Sequence, residues 1–166
     1  MIYISIGYPM GFRKKQNEDE LEYFMEIRGK FVPVTHSELS LWSDINSTEN
    51  EKLDEKIVIS LKEKGLVLSS NSIFELFDIL LEYTIIRQGV GWVNEGKPCI
   101  LKAENDVFNT TKLQDIIWVN GYGTILIKTI VEKRCAKDFD IASESFKRQF
   151  IKDIIELTRH SVIVVV

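Results

Sequence analysis

Only two cysteines, Cys99 and Cys135, and two histidines, His36 and His160, stand in the 166 residues. Two cysteines cannot make a disulfide framework, and reduced thiols in a cytoplasmic protein are the expectation. Paired ligand spacing such as C-x-x-C is missing, so Cys99, Cys135 and His160 are not expected to hold a metal. No apolar run approaches the roughly 18 residues of a membrane-spanning helix. The opening MIYISIGYPMGFRKK has no basic leader and is broken by Gly7 and Pro9, unlike a signal peptide, and the closing SVIVVV is too short to span. Positive charge is not in excess either: 21 Lys and Arg face 25 Asp and Glu, a net charge of −4. A pI near 5.3 gives no general attraction to nucleic acid or to an anionic membrane.

Catalytic signatures are absent as well. The closely spaced glycines of GVGW and GYGT do not extend into G-x-G-x-x-G or G-x-x-x-x-G-K, and no serine stands in a G-x-S-x-G context. Carboxylates crowd into mixed-charge stretches, NEDELE and NEKLDEK, that read as solvated faces. His36 follows a helix-capping threonine and faces solvent; His160 ends the last helix, where partial positive charge suits the dipole. Neither an enzyme nor a cofactor is expected.

What is present is a globular composition, 45% hydrophobic and 28% charged, enough for a real core, together with a pattern that occurs twice. THSELSLW begins at Thr35 and TKLQDIIW at Thr111. In each, threonine is followed three positions on by Glu38 or Gln114, the spacing of a capping box. Each segment then runs through apolar residues to a tryptophan, Trp42 or Trp118. A hairpin turning at Arg28-Gly29-Lys30 precedes the first helix. Strands at 91–93, 99–103 and 107–109 precede the second. Farther on, LKEKGLVLSS matches LTRHSVIVVV: a helix ends at Gly65 or Ser161 and passes into a strand. Between the copies, NSIFELFDILLEYTIIRQ is apolar on most of its circumference, with a capping box expected at Ser72 and Glu75, and reads as a buried helix. TILIKTIVEKRC reads as an additional helix of the second copy. The fold class expected is α+β: units at 1–70 and 91–166, packed through a connecting helix at 71–90.

Sheet, helix, helix, longer helix and closing strand is the order of a winged helix, and the two copies resemble two such domains in tandem, the first abbreviated. Residues 91–166 also resemble the PqqD-like peptide-binding domains. The likeness rests on DVFNTTKLQDIIWVNGYGTILIKTI, with its strand, asparagine, helix ending in Ile117-Trp118, glycine and following helix. Asn109 sits farther from Ile117-Trp118 than the family pattern has it. The resemblance implies a winged helix that begins with a β-hairpin and takes a peptide ligand.

The function expected is a non-enzymatic interaction module, an adaptor or regulator binding a protein or peptide. The exposed edge at Val107, Phe108, Asn109 and Thr110 is its site, since an extended chain can join a strand edge. The corresponding FVPVT edge is poorer, because Pro33 removes a donor. The alternative is a DNA-binding regulator: on a helix at about 143–160, Phe146, Phe150, Ile154 and Leu157 form the buried stripe, and Arg148, Lys152 and Arg159 gather on another face. The matching helix of the first copy, about 52–64, mixes lysine with glutamate. Residues 1–70 carry nine cations against twelve anions, residues 71–166 twelve against thirteen, so neither half is a basic module. A membrane partner is not expected, and self-association into homo-oligomers is left open.

Overall fold

A computed structural model describes residues 1–14, 21–46, 53–94, 97–103 and 106–166, all but the side chains of 92, 94 and 103. The chain divides into two compact units, Met1–Ser69 with Val166 and Ser70–Val165. Among the described residues no helix is long and apolar enough to cross a membrane. Residues 17–20 and 50–52 of the two charged stretches, and the turn residues 95–96 and 104–105, lie outside the described set.

The first unit opens with β1 (Ile2–Ser5), then β2 (Tyr8–Lys14), β3 (Leu21–Ile27) and β4 (Lys30–Val34). The last three form an antiparallel sheet in the order β2-β3-β4. Arg28 and Gly29 both have positive φ, 50° and 75°, the turn that matches strand twist in a two-residue hairpin. Helix α1 (His36–Asp44) starts on a complete capping box of Thr35 and Glu38, and α2 (Glu55–Glu63) is capped by Asp54. β5 (Val67–Ser70) follows and pairs with β1. Met25, Val34, Ile45, Leu61, Leu66 and Val67 make the core, with Trp42 and Leu39 packed against it. Each such side chain contributes about 1.5–3 kcal/mol when fully buried.

The second unit begins with α3 (Ile73–Leu80) and β6 (Thr84–Arg87). A sheet of β7 (Val90–Asn94), β8 (Lys97–Ala103) and β9 (Asp106–Asn109) comes next, antiparallel and in that order. Helix α4 (Lys112–Val119) carries the second complete capping box, Thr111 with Gln114. β10 (Tyr122–Leu126), α5 (Ile127–Lys133), a 3-10 turn at Cys135–Lys137, α6 (Glu144–Arg159) and β11 (Ile163–Val165) complete the chain. β10 and β11 flank β6, both antiparallel to it. Phe150 and Ile154 of α6 are fully buried, and Phe77 of α3 meets Phe146 and Phe150 edge-on at 6.2 and 5.5 Å.

The same local devices recur in both units. The Trp42 indole N–H donates to the Ile6 carbonyl at 2.8 Å, and that of Trp118 to the Gln88 carbonyl at 2.9 Å. Ile6 N–H in turn donates to the Leu66 carbonyl, and Gln88 N–H to the Val162 carbonyl. Gly7 and Gly89 have φ of 78° and 80°, and a Cβ on either would stand 2.6 or 2.7 Å from a carbonyl of the neighbouring strand. Trp118 is buried; Trp42 is only half-buried.

Several details depart from expectation. Residues 71–90 are not one connecting helix. The helix stops at Leu80, because Thr84-Ile85-Ile86, rich in β-branched residues, finds strand partners in β10 and β11. α3 belongs to the second unit, where it packs on α6. Its capping box is half made: Ser72 accepts from the Glu75 N–H, but the Glu75 carboxylate is occupied by the Ser70 hydroxyl. Thr124–Leu126, expected to open a helix, belong to strand β10, and the helix begins only at Ile127.

Candidate functional site

β9 is an edge strand, paired on one side only, with β8. Its register sets Phe108 opposite Ile100 and Asn109 opposite Cys99. Thr110 N–H donates to the Pro98 carbonyl at 3.3 Å, and the Thr110 hydroxyl donates to the same oxygen at 3.0 Å. Antiparallel pairing alternates inward and outward. With Thr110 turned toward β8, Phe108 turns the same way, and the backbone groups of Val107 and Asn109 face outward. Val107 and Asn109 are exposed, while the Phe108 ring is buried. The four predicted edge residues thus divide into two that present backbone and two that hold the strand in place.

The Phe108 ring lies 4.9 Å from the His160 ring at the C-cap of α6. This contact joins the strand edge to the end of the helix. There, Lys152, Ile155, Glu156, Arg159 and His160 line a cleft of about 280 Å³. Lys152 has no ion-pair partner among the described residues. Glu156 accepts from the Gln114 side-chain amide at 2.7 Å, so part of its hydrogen-bonding capacity is taken.

Of the three predicted cations, Lys152 and Arg159 share the cleft and Arg148 does not line it. Arg148 lies over the Phe74 ring at 4.7 Å and 3.7 Å from the Glu144 carboxylate. All three project from one side of α6, but an aromatic ring of α3 engages the first.

Below the cleft, the Gln114 amide also donates to Asp153 at 3.3 Å, and Gln149 donates to the same Asp153 oxygen at 2.9 Å. The other carboxylate oxygen, Oδ2, is buried without a partner. Burial pushes Asp153 up to about 6, aided by the nearby Glu156 charge and opposed by the two amides. In the first unit the matching capping-box residue is Glu38, and the matching bonds carry charge. Its carboxylate takes Lys64 at 2.6 Å and the Ser60 hydroxyl at 2.5 Å. Burial alone would raise Glu38, but the hydrogen bonds from Lys64, Ser60 and the Thr35 backbone outweigh it and hold the group below its ordinary value.

His160 and Ile155 are the site residues that sequence reasoning passed over. The signal was there in the aligned copies. Lys64 and His160 both cap the last helix of their unit. Lys64 is held by an anion at Glu38; neutral Gln114 stands in that place in the second unit, and the His160 ring instead meets that of Phe108 at a tilt of 44°. Among the described residues no three or more His, Cys, Asp or Glu side chains are grouped so as to hold a metal ion. Cys99 and Cys135 are buried thiols, and burial, with Asp138 nearby, pushes Cys135 up to about 12.

No protein-family model, curated protein or solved structure matches this chain.

Proposed function

We propose that the chain is a non-enzymatic interaction module, an adaptor or regulator, whose second unit is a PqqD-like winged helix that binds an extended acidic polypeptide segment. The segment adds as a strand to β9 through the outward backbone groups of Val107 and Asn109. Its carboxylates meet Lys152 and Arg159 in the adjoining cleft. The observation that carries this reading is the Phe108–His160 contact, which makes one surface of a strand edge and a cationic helix end.

The first unit supports the reading by contrast. At the position of Asn109 it has Pro33, in edge strand β4, opposite Phe24. Proline there removes a donor and blunts the edge. The same scaffold is blocked in one copy and open in the other.

The test follows from that contrast. Peptides selected from a random displayed library on the wild-type chain are expected to be extended and to carry Asp or Glu. Asn109→Pro, which copies the first unit, should abolish their binding while leaving the thermal midpoint within a few degrees. Lys152→Ala with Arg159→Ala should weaken it at least tenfold. Peptides that bind all these variants equally would overturn the proposal.

Duplex DNA is the second reading. What favours it is that Arg148, Lys152 and Arg159 do project from one side of α6. Against it stand Glu144 and Glu156 on the same helix and the engagement of Arg148 with Phe74.

A further inference from the structure

The opposite edge of the same sheet carries a second opening. Between β7, the start of β8 and α4 lies a groove of about 510 Å³ lined by Gly91, Val93, Pro98, Trp118, Val119 and Asp115. Its walls are apolar apart from Asp115. The floor is open because residue 91 is glycine: a Cβ there would stand 2.8 Å from the Trp118 ring. β7 is an edge strand, Gly91 and Val93 line the groove, and Val90 and Val93 are 63% and 65% exposed.

Asp115 is the feature that asks for a ligand. Its carboxylate has no hydrogen bond or ion pair among the described residues, and the nearest helical cation, Lys112, is paired with Asp138 at 2.5 Å. Burial pushes its acidity toward the neutral form. Counting from the capping threonines, the first unit has Leu39 at this position, packed on its core. The α4 N-terminus favours a nearby negative charge by a few tenths of a kcal/mol, and Asp115 is its first-turn acid as Glu38 is that of α1; Glu38 is also paired with Lys64, whereas Asp115 has only the dipole.

We propose that the β7–α4 groove is a docking site for an extended polypeptide segment in which a lysine or arginine, flanked by apolar residues, pairs with Asp115. A half-buried carboxylate in apolar surroundings, with no partner among the described residues, favours a cation. The edge of β7 selects a peptide over a small amine, because the backbone groups of Gly91 and Val93 face away from β8 and are available for strand addition. The site is separate from the β9 edge and prefers the opposite charge, so the two edges of one sheet discriminate between segments.

The experiment isolates this edge by blocking the other. A random heptapeptide display library is selected on the full chain carrying Asn109→Pro. Enrichment of peptides with one Lys or Arg among apolar residues is expected. Their affinity should fall at least tenfold with Asp115→Leu, which copies the first unit, and with the isosteric Asp115→Asn. Amide hydrogen exchange should slow at residues 90–94 when a selected peptide binds. The proposal is overturned if nothing is enriched, if basic residues are not preferred, if either Asp115 variant binds within twofold, or if slowing occurs elsewhere. Loss of the acidic-peptide site at β9 leaves these outcomes unaffected, so the two proposals fail independently. Should Asp115→Leu misfold, Asp115→Asn decides.

Discussion

Gly65 and Ser161 hold the same left-handed backbone at matching helix ends, with φ of +72° and +55°. Each stands one residue past the C-cap, and the next N–H reaches back into the helix: Leu66 to the Leu61 carbonyl at 2.8 Å, Val162 to the Leu157 carbonyl at 3.0 Å. This is the Schellman closure, which glycine adopts without a Cβ penalty and serine does not. Ser161→Gly is therefore expected to stabilise the second unit by about 0.5–1 kcal/mol, and Gly65→Ser to destabilise the first by about 1 kcal/mol. Urea unfolding followed by hydrogen exchange in each unit checks both signs; equal effects of the same sign would contradict the equivalence.

Glu38 and Lys64 tie α1 to α2 through a pair whose carboxylate is buried. Removing one partner of such a pair costs about 3 kcal/mol, so Glu38→Ala should lower stability by that order. Glu38→Gln should cost less, because an amide still accepts from the Thr35 N–H, as Gln114 does from Thr111. The folded-state pKa of Glu38 lies below its ordinary 4.5. Its contribution is thus present above the unfolded value and is lost as pH falls through the lower folded one. Acid titration of wild type against Glu38→Gln should show the two curves converging at low pH.

Asp153 works in the opposite direction. Its folded pKa is raised to about 6 from 3.8, so the protonated form is favoured on folding. Stability from this group is full below the unfolded value and is lost as pH rises through about 6. Asp153→Asn should raise stability at pH 7.5, by at most about 3 kcal/mol, and the gain should vanish by about pH 3.5. Thermal melts of both proteins across that range measure it. A variant that is less stable at neutral pH would mean that the ionised carboxylate is needed.

For DNA, the expected result of a titration against random duplex at two salt concentrations is weak binding. Any binding should lose about two units of salt slope when Lys152 and Arg159 become alanine, and less from Arg148→Ala, since that side chain already lies on Phe74. A loss of slope dominated by Arg148 would instead favour duplex recognition along the whole face of α6.

Much of the local structure was legible in the chain because it rests on short-range bonds. Thr35 with Glu38 and Thr111 with Gln114 satisfy their own backbone donors within one turn, so spacing alone reveals them. The turn at Arg28-Gly29 and the apolar stripe of α6 are likewise local in origin. Where the sequence misled, a longer-range partner intervened. Glu75 should have closed a capping box on Ser72, but Ser70 captures its carboxylate. Tyr122–Leu126 and Thr84–Arg87 have apolar patterns compatible with either helix or strand, and only their mutual pairing makes them strands.

The sequence by itself determined which residues cap, turn and bury, and it marked the edge at Val107–Thr110 and the cations of the last helix as separate features. Only the tertiary structure decided that Phe108 meets His160, that Lys152 and Arg159 share that cleft while Arg148 turns to Phe74, and that Asp115 is left alone in an apolar groove. The physical reason is range. Caps and turns are closed within a few residues by hydrogen bonds the local chain supplies. A ring contact, a cleft or an unpaired charge depends on which distant side chains the packing of α4 and α6 brings within reach, and the identities of those partners are not encoded next to the residue that needs them.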